Sequence, residues 1–198
     1  MARKSDQKAM VLERLASHLL ATGLARTSLR DLAEAAAVSD RMLIYYFTDK
    51  TAVLSEAIAL VAGRLSATLA EALPEDVRLA PAQLTRRAVE ITTRADLRPY
   101  MRVWIEIVAA AARKEEPYVA IAQQVMNGFR AWIESRLELP NDKERADAAL
   151  AIIAICDGLA LVEICSGGEA LDQARAALPL NDGLVGLSRQ SRFKPKPR

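Results

Sequence analysis

The sequence predicts an all-α fold in two parts: an N-terminal three-helix domain built around a helix-turn-helix, and a larger helical domain behind it. Three observations carry that expectation. Apolar residues recur at helical spacing as far as residue 178, and proline, glycine and acidic residues punctuate the segments. No run of strand length alternates apolar with polar residues beside a hairpin turn. The expected boundaries are 1–50 for the helix-turn-helix domain and 51–180 for the helical domain, with 49–73 as a connecting helix and 181–198 as a tail.

The first helix is amphipathic through Leu15, Leu19 and Leu20 and ends at Gly23. In the second, Leu29, Leu32, Ala33 and Ala36 fall at i, i+3, i+4 and i+7, and Thr27 or Ser28 is placed to cap the free amides at its start. A turn follows at Ala37, Val38 and Ser39, where Val38 plugs the angle between helices and Ser39 caps the third helix. Within that helix Leu43 and Phe47 lie one turn apart and face inward. Asp40, Arg41, Met42, Ile44, Tyr45 and part of Tyr46 are left to meet a partner. Asp49 caps the next helix and puts Lys50 in its first turn, where an ammonium and nearby amides suit a phosphate.

The connecting helix, 49–73, keeps a stripe of Leu54, Ile58, Val61, Leu65 and Leu69 until Pro74 stops it. Further helices are expected near 81–94, 97–114, 117–137, 142–165 and 168–178. Two of them bring large, adaptable or aromatic side chains together. Met101, Trp104, Ile105 and Val108 lie on one, and Tyr118, Ile121, Val125, Met126, Phe129 and Trp132 on the next. Such stripes suit either an ordinary core or a largely apolar small molecule lying between helices. Glu106, Gln124, Asn127, Asp157 and Glu163 are polar groups able to orient such a ligand or neutralise a cationic one. Asp157 and Glu163 interrupt an otherwise apolar run, where an acid has to be paired, protonated or at an interface. From 148 to 162 that run is apolar nearly all round, so it needs cover on more than one face, and a symmetric second copy would supply it.

With 198 residues and 52% hydrophobic content the chain can bury a sizeable core. Charge is expected to break the apolar stretches well before the roughly 20 residues of a membrane span, and no basic-then-apolar leader opens the chain. A cytoplasmic protein without membrane partners is therefore expected. The net charge of +2 conceals an asymmetry, because Arg189, Arg192, Lys194, Lys196 and Arg198 supply five positive charges without an acid, leaving −3 for everything before them. Prolines 195 and 197 and the scarcity of apolar residues mark that tail as disordered, with a phosphate-contacting arm as the alternative.

The inventory for catalysis is poor, and no enzyme, cofactor or metal site is expected. His18 is the only histidine and sits among leucines of the first helix. Cys156 and Cys165 are nine residues apart, on opposite sides of one helix at about 13 Å, too far to bridge or share a metal. No phosphate-binding glycine loop, nucleophile elbow or HExxH is present.

Periodicity alone leaves nucleic-acid binding and plain helical packing both open. Gly23, Thr27, Leu32-Ala33, Val38-Ser39, Leu43, Tyr46-Phe47, Lys50 and Leu54, in that register, resemble the N-terminal domain of the tetracycline-repressor (TetR) family. The resemblance covers about the first quarter of the chain. Beyond it only length, the helical pattern and Asp157-Gly158-Leu159 agree. It implies a homodimer whose paired recognition helices enter successive major grooves of a palindromic double-stranded operator, and whose C-terminal domain binds a small-molecule effector that releases the DNA, usually as a repressor. A dimeric helical DNA-binding or interaction protein without small-molecule response is the alternative. The candidate DNA contacts are Thr27, Arg30, Ser39, Asp40, Arg41, Met42, Ile44, Tyr45, Tyr46 and Lys50.

Three positions depart from the family pattern. Ala37 stands where glycine is usual, at a cost of about 1 kcal/mol if its φ is positive. Arg41 replaces a small residue and Ile44 an aromatic one. Arg41 then suits bidentate reading of guanine, Ile44 a thymine methyl, and Asp40 cytosine N4, whereas Asp40 also simply favours the positive end of its helix.

Overall fold

The computed structural model describes residues 2–178; the basic tail expected at 181–198 lies outside the described residues. The order is α1 (Ala2–Thr22), α2 (Leu29–Ala36), α3 (Asp40–Phe47), α4 (Lys50–Ala72), α5 (Pro81–Thr92), a 3-10 turn (Ala95–Leu97), α6 (Arg98–Ala112), α7 (Tyr118–Glu134) and α8 (Asp142–Ala177). Among the described residues the extended pairing is a single parallel bridge between Leu79 and Leu137. The fold is all-α, with an N-terminal helix-turn-helix and a C-terminal helical part, as the sequence predicts.

The helix starts follow from their caps. Ser28 caps α2 and forms a capping box with Asp31, Ser39 accepts from the amide of Met42, Asp49 from that of Ala52, and Asn141 from that of Glu144. Pro81 and Pro99 stand in the first turns of α5 and α6, where a missing N–H costs nothing. The α2 end is left-handed at Ala37, φ 54°, so the substitution for glycine does carry strain. Gly167, with φ 84° and ψ 177°, interrupts α8 and divides it where two helices are expected from the sequence.

The chain packs as two compact units. Among the described residues, the first comprises those up to Leu73 and Arg94–Gly128, and the second Pro74–Thr93 and those from Phe129 to Leu178. In the first unit Leu15, Leu19, Leu32, Leu43 and Phe47 meet Leu54 and Ile58 of α4 and Val103 and Ile107 of α6 in one buried cluster. Each such side chain, fully buried, is worth about 1.5–3 kcal/mol. In the second unit α5 packs on α8, with Leu84, Ala88 and Ile91 buried on α5 and Ile152, Ile153, Cys156 and Leu159 on α8.

One expectation needs correction. Charge does not break every apolar stretch short of spanning length, since α4 and α8 are both long and apolar enough, by length and composition, to cross a membrane. Both have a globular explanation as well. Helix α4 buries Val53, Leu54, Ala57, Ile58, Val61 and Leu69, and a core helix passes the same length test.

Candidate nucleic-acid interface

Two inward anchors orient α3. Leu43 and Phe47 are completely buried, which turns Asp40, Arg41, Met42 and Tyr45 outward; Tyr45 is 59% exposed and Met42 38%. Ile44 and Tyr46 sit half-buried at the edges of that face. The helix is braced against α1. The Tyr46 hydroxyl donates to Gln7 Oε1 at 3.0 Å, and Lys8 Nζ lies 4.8 Å from the centre of the Phe47 ring while pairing with Glu56 at 2.7 Å. Tyr45 packs edge-on against Tyr46, ring centres 5.6 Å apart.

Around this face the remaining candidates divide. Lys50 is exposed at the first position of α4, beside the Asp49 cap. Arg30 is exposed on α2, and Ser39 is exposed with its hydroxyl at 3.2 Å from the Met42 amide. Asp40 stands in the first turn of α3, where its charge meets the positive helix end. Thr27 is different: it is 9% exposed and its hydroxyl donates to the Leu24 carbonyl at 3.0 Å. The carbonyl at the end of α2, Ala36 O, accepts from Arg14 of α1 at 2.8 Å. His18, on the same helix, bonds through Nε2 to the Arg26 carbonyl at 2.9 Å, a structural partner.

The effector candidates fall into two groups, one in each unit. Met101, Trp104, Ile105, Tyr118, Val125 and Met126 are half-buried in the first, where Ile121 is buried and Val108 is 42% exposed. Burial raises the Tyr118 phenol above its ordinary pKa, and a hydrogen bond with Thr27 opposes that shift. In the second unit Phe129 and Trp132 are half-buried and stacked at 5.7 Å and 16°, with the Arg136 guanidinium 4.6 Å over the Trp132 ring. Asp157 and Glu163 are half-buried on α8.

Helix α8 also answers the expectation of a two-sided apolar segment. One face is buried, while Leu150, Leu161 and Ile164 are 49%, 48% and 56% exposed, with Ala151, Ala154 and Gly158 exposed between them.

Sequence reasoning found the outward face of α3 and missed what holds it. Gln7, Lys8, Arg14, Arg102 and Glu106 all act on partners far along the chain, and no local spacing signals such pairs. Glu106, expected among the ligand-orienting groups, accepts the amide of Leu24.

Residues 14–57 match the family described as bacterial regulatory proteins, tetR family. No protein of curated function matches the chain in sequence. Similar solved structures include a TetR-family transcriptional regulator from Cytophaga hutchinsonii, 18% identical, with a TM-score of 0.72 over 94% of this chain and 96% of that one. A transcriptional regulator from Rhodococcus sp. Rha1 is 22% identical, with a TM-score of 0.68 over 91% of this chain and 94% of that one. A candidate transcriptional regulator from Saccharomonospora viridis, in complex with choline, is 20% identical, with a TM-score of 0.62 over 91% and 96%. At these identities the likeness is one of fold.

Proposed function

We propose, for a chain whose residues 14–57 match the tetR family of bacterial regulatory proteins, a homodimeric transcriptional repressor that leaves a palindromic operator when a small molecule binds its helical C-terminal part. The observation that carries the reading is the outward face of α3, where Arg41, Met42 and Tyr45 stand exposed over the buried Leu43 and Phe47, beside an exposed Lys50. A helix so presented suits a major groove, with Arg41 aimed at a base edge and Lys50, Tyr45 and Tyr46 at phosphates. Ser39, Asp40, Met42, Ile44 and Arg30 complete the contact face. Thr27 serves it from within, by bracing the turn before α2.

Dimerisation is supported by the exposed apolar face of α8, which a second copy would cover by a self-complementary contact. Two half-sites about one duplex turn apart then multiply a modest single-domain affinity. The effector is a largely apolar molecule held within the first unit by aromatic and aliphatic side chains of α6 and α7, Trp104, Tyr118, Val125 and Met126 among them. A protein of this fold is in complex with choline, which supports a small-molecule role for the architecture without assigning choline to this chain. A cytoplasmic location goes with this reading, since the operator lies there in a bacterium.

Selection of tight binders from a random duplex library tests the reading. It is expected to enrich a palindrome with half-sites about ten base pairs apart; a pool that stays random would overturn it.

A further inference from the structure

Helix α1 ends at Gly23, whose φ of 69° is left-handed. The carboxylate of Glu106, on α6, occupies the space a side chain would need there: a Cβ on Gly23 would come within 2.8 Å of Glu106 Cδ. That carboxylate also accepts the amide hydrogen of Leu24 through Oε2. One turn earlier on α6, Arg102 donates Nη2 to the carbonyls of Leu20 at 2.6 Å and Ala21 at 3.1 Å. The order of charges is the one this helix end requires. Its last carbonyls are electron-rich and meet a guanidinium, while the amide just beyond them meets a carboxylate. The hydroxyls of Thr27 and Tyr118 tie the same turn together.

We infer that Glu106 is a positioning residue for DNA binding: with Arg102 it latches α6 onto the α1–α2 turn and sets the angle from which α2 and α3 are presented. The inference rests on the reading of α3 as the DNA-contacting helix. All the residues involved belong to the first compact unit, whose core also receives Val103 and Ile107 from α6, so polar and apolar contacts hold the same two helices. DNA that selects the latched angle strengthens the latch in return, because the coupling is reciprocal.

The test uses the full chain and the duplex enriched by the selection above, with Glu106→Ala and Glu106→Gln, the latter keeping an acceptor for the Leu24 amide. Glu106→Ala is expected to lose at least about 10-fold in duplex affinity and Glu106→Gln to recover most of it. By amide hydrogen exchange, the Leu24 amide opens at least about 10-fold faster in Glu106→Ala while those of Leu32 and Leu43 keep their rates. Duplex added to the wild type slows Leu24 further. If Glu106→Ala does not fold, Arg102→Met and Glu106→Gln carry the same comparison. Wild-type affinity in Glu106→Ala, or in Arg102→Met where it stands in, would overturn the latch, as would fast Leu24 exchange with unchanged affinity. A wild type that binds no duplex would overturn the underlying reading of α3 instead.

Discussion

The phenol of Tyr46, on α3, donates to the side-chain carbonyl of Gln7, on α1, at 3.0 Å. Helix α1 therefore holds the edge of the outward face of α3, and under the proposed function one aromatic faces two duties, since the same hydroxyl is a candidate phosphate donor. Tyr46→Phe keeps the ring against Tyr45 and Phe47 and removes only the hydroxyl. The expected loss is about 0.5–1.5 kcal/mol of stability, the usual worth of one partly exposed hydrogen bond, measured by urea unfolding. Gln7→Ala should cost a similar amount, and the double variant less than the two losses added together.

Lys50 and Arg41 are expected to fail differently. Lys50→Ala removes a phosphate contact, so affinity falls for every duplex and the dependence on salt becomes shallower by about one unit of slope per protomer. Arg41→Ala should cost about 1–3 kcal/mol per half-site, concentrated at one base position. Titrations of both variants across single-base changes of the operator separate these outcomes. An equal loss on all sequences would remove Arg41 from base reading.

Ala37 holds φ 54° and ψ 45° at the end of α2, a left-handed residue carrying a Cβ. Ala37→Gly is expected to raise stability by up to about 1 kcal/mol through relief of that strain, offset in part by the greater freedom of glycine in the unfolded chain. The midpoint of denaturant unfolding reads the difference.

The two thiols offer a check on the dimer. Cys156 is buried, and that burial pushes its pKa from 9.0 up to about 11, a hydrogen bond with Thr92 notwithstanding. It should resist thiol reagents at neutral pH, whereas Cys165 is exposed in the single chain. A dimer sealed along α8 shields Cys165, so its labelling rate is expected to rise on dilution. The linkage also has a sign. The unfolded chain loses the Cys156 proton first, so stability from this group is whole below about pH 9 and declines as pH climbs toward 11.

Much of this was legible from residue order. Ser28, Ser39 and Asp49 announced helix starts because a cap acts on its own first turn, and Leu43 and Phe47 announced the inward side of α3 because helical spacing is local. Gly167 marked the break in α8 for the same reason. Contacts made by folding back were not legible. Nothing near Glu106 says that it meets Leu24 rather than a ligand, and nothing near Gln7 points to Tyr46. Thr27 shows the same gap from the other side, since its burial depends on packing that its neighbours in sequence do not reveal.

The central claim is that α3 reads a sequence. Fluorescence anisotropy of the selected duplex against a scrambled duplex of equal length, at fixed near-physiological salt, tests it most directly. A preference of at least about 10³ for the selected duplex is the expected result. Equal affinity for the two, from a folded dimer, would contradict it and leave Asp40, Arg41 and Ile44 as a surface that no longer reads DNA.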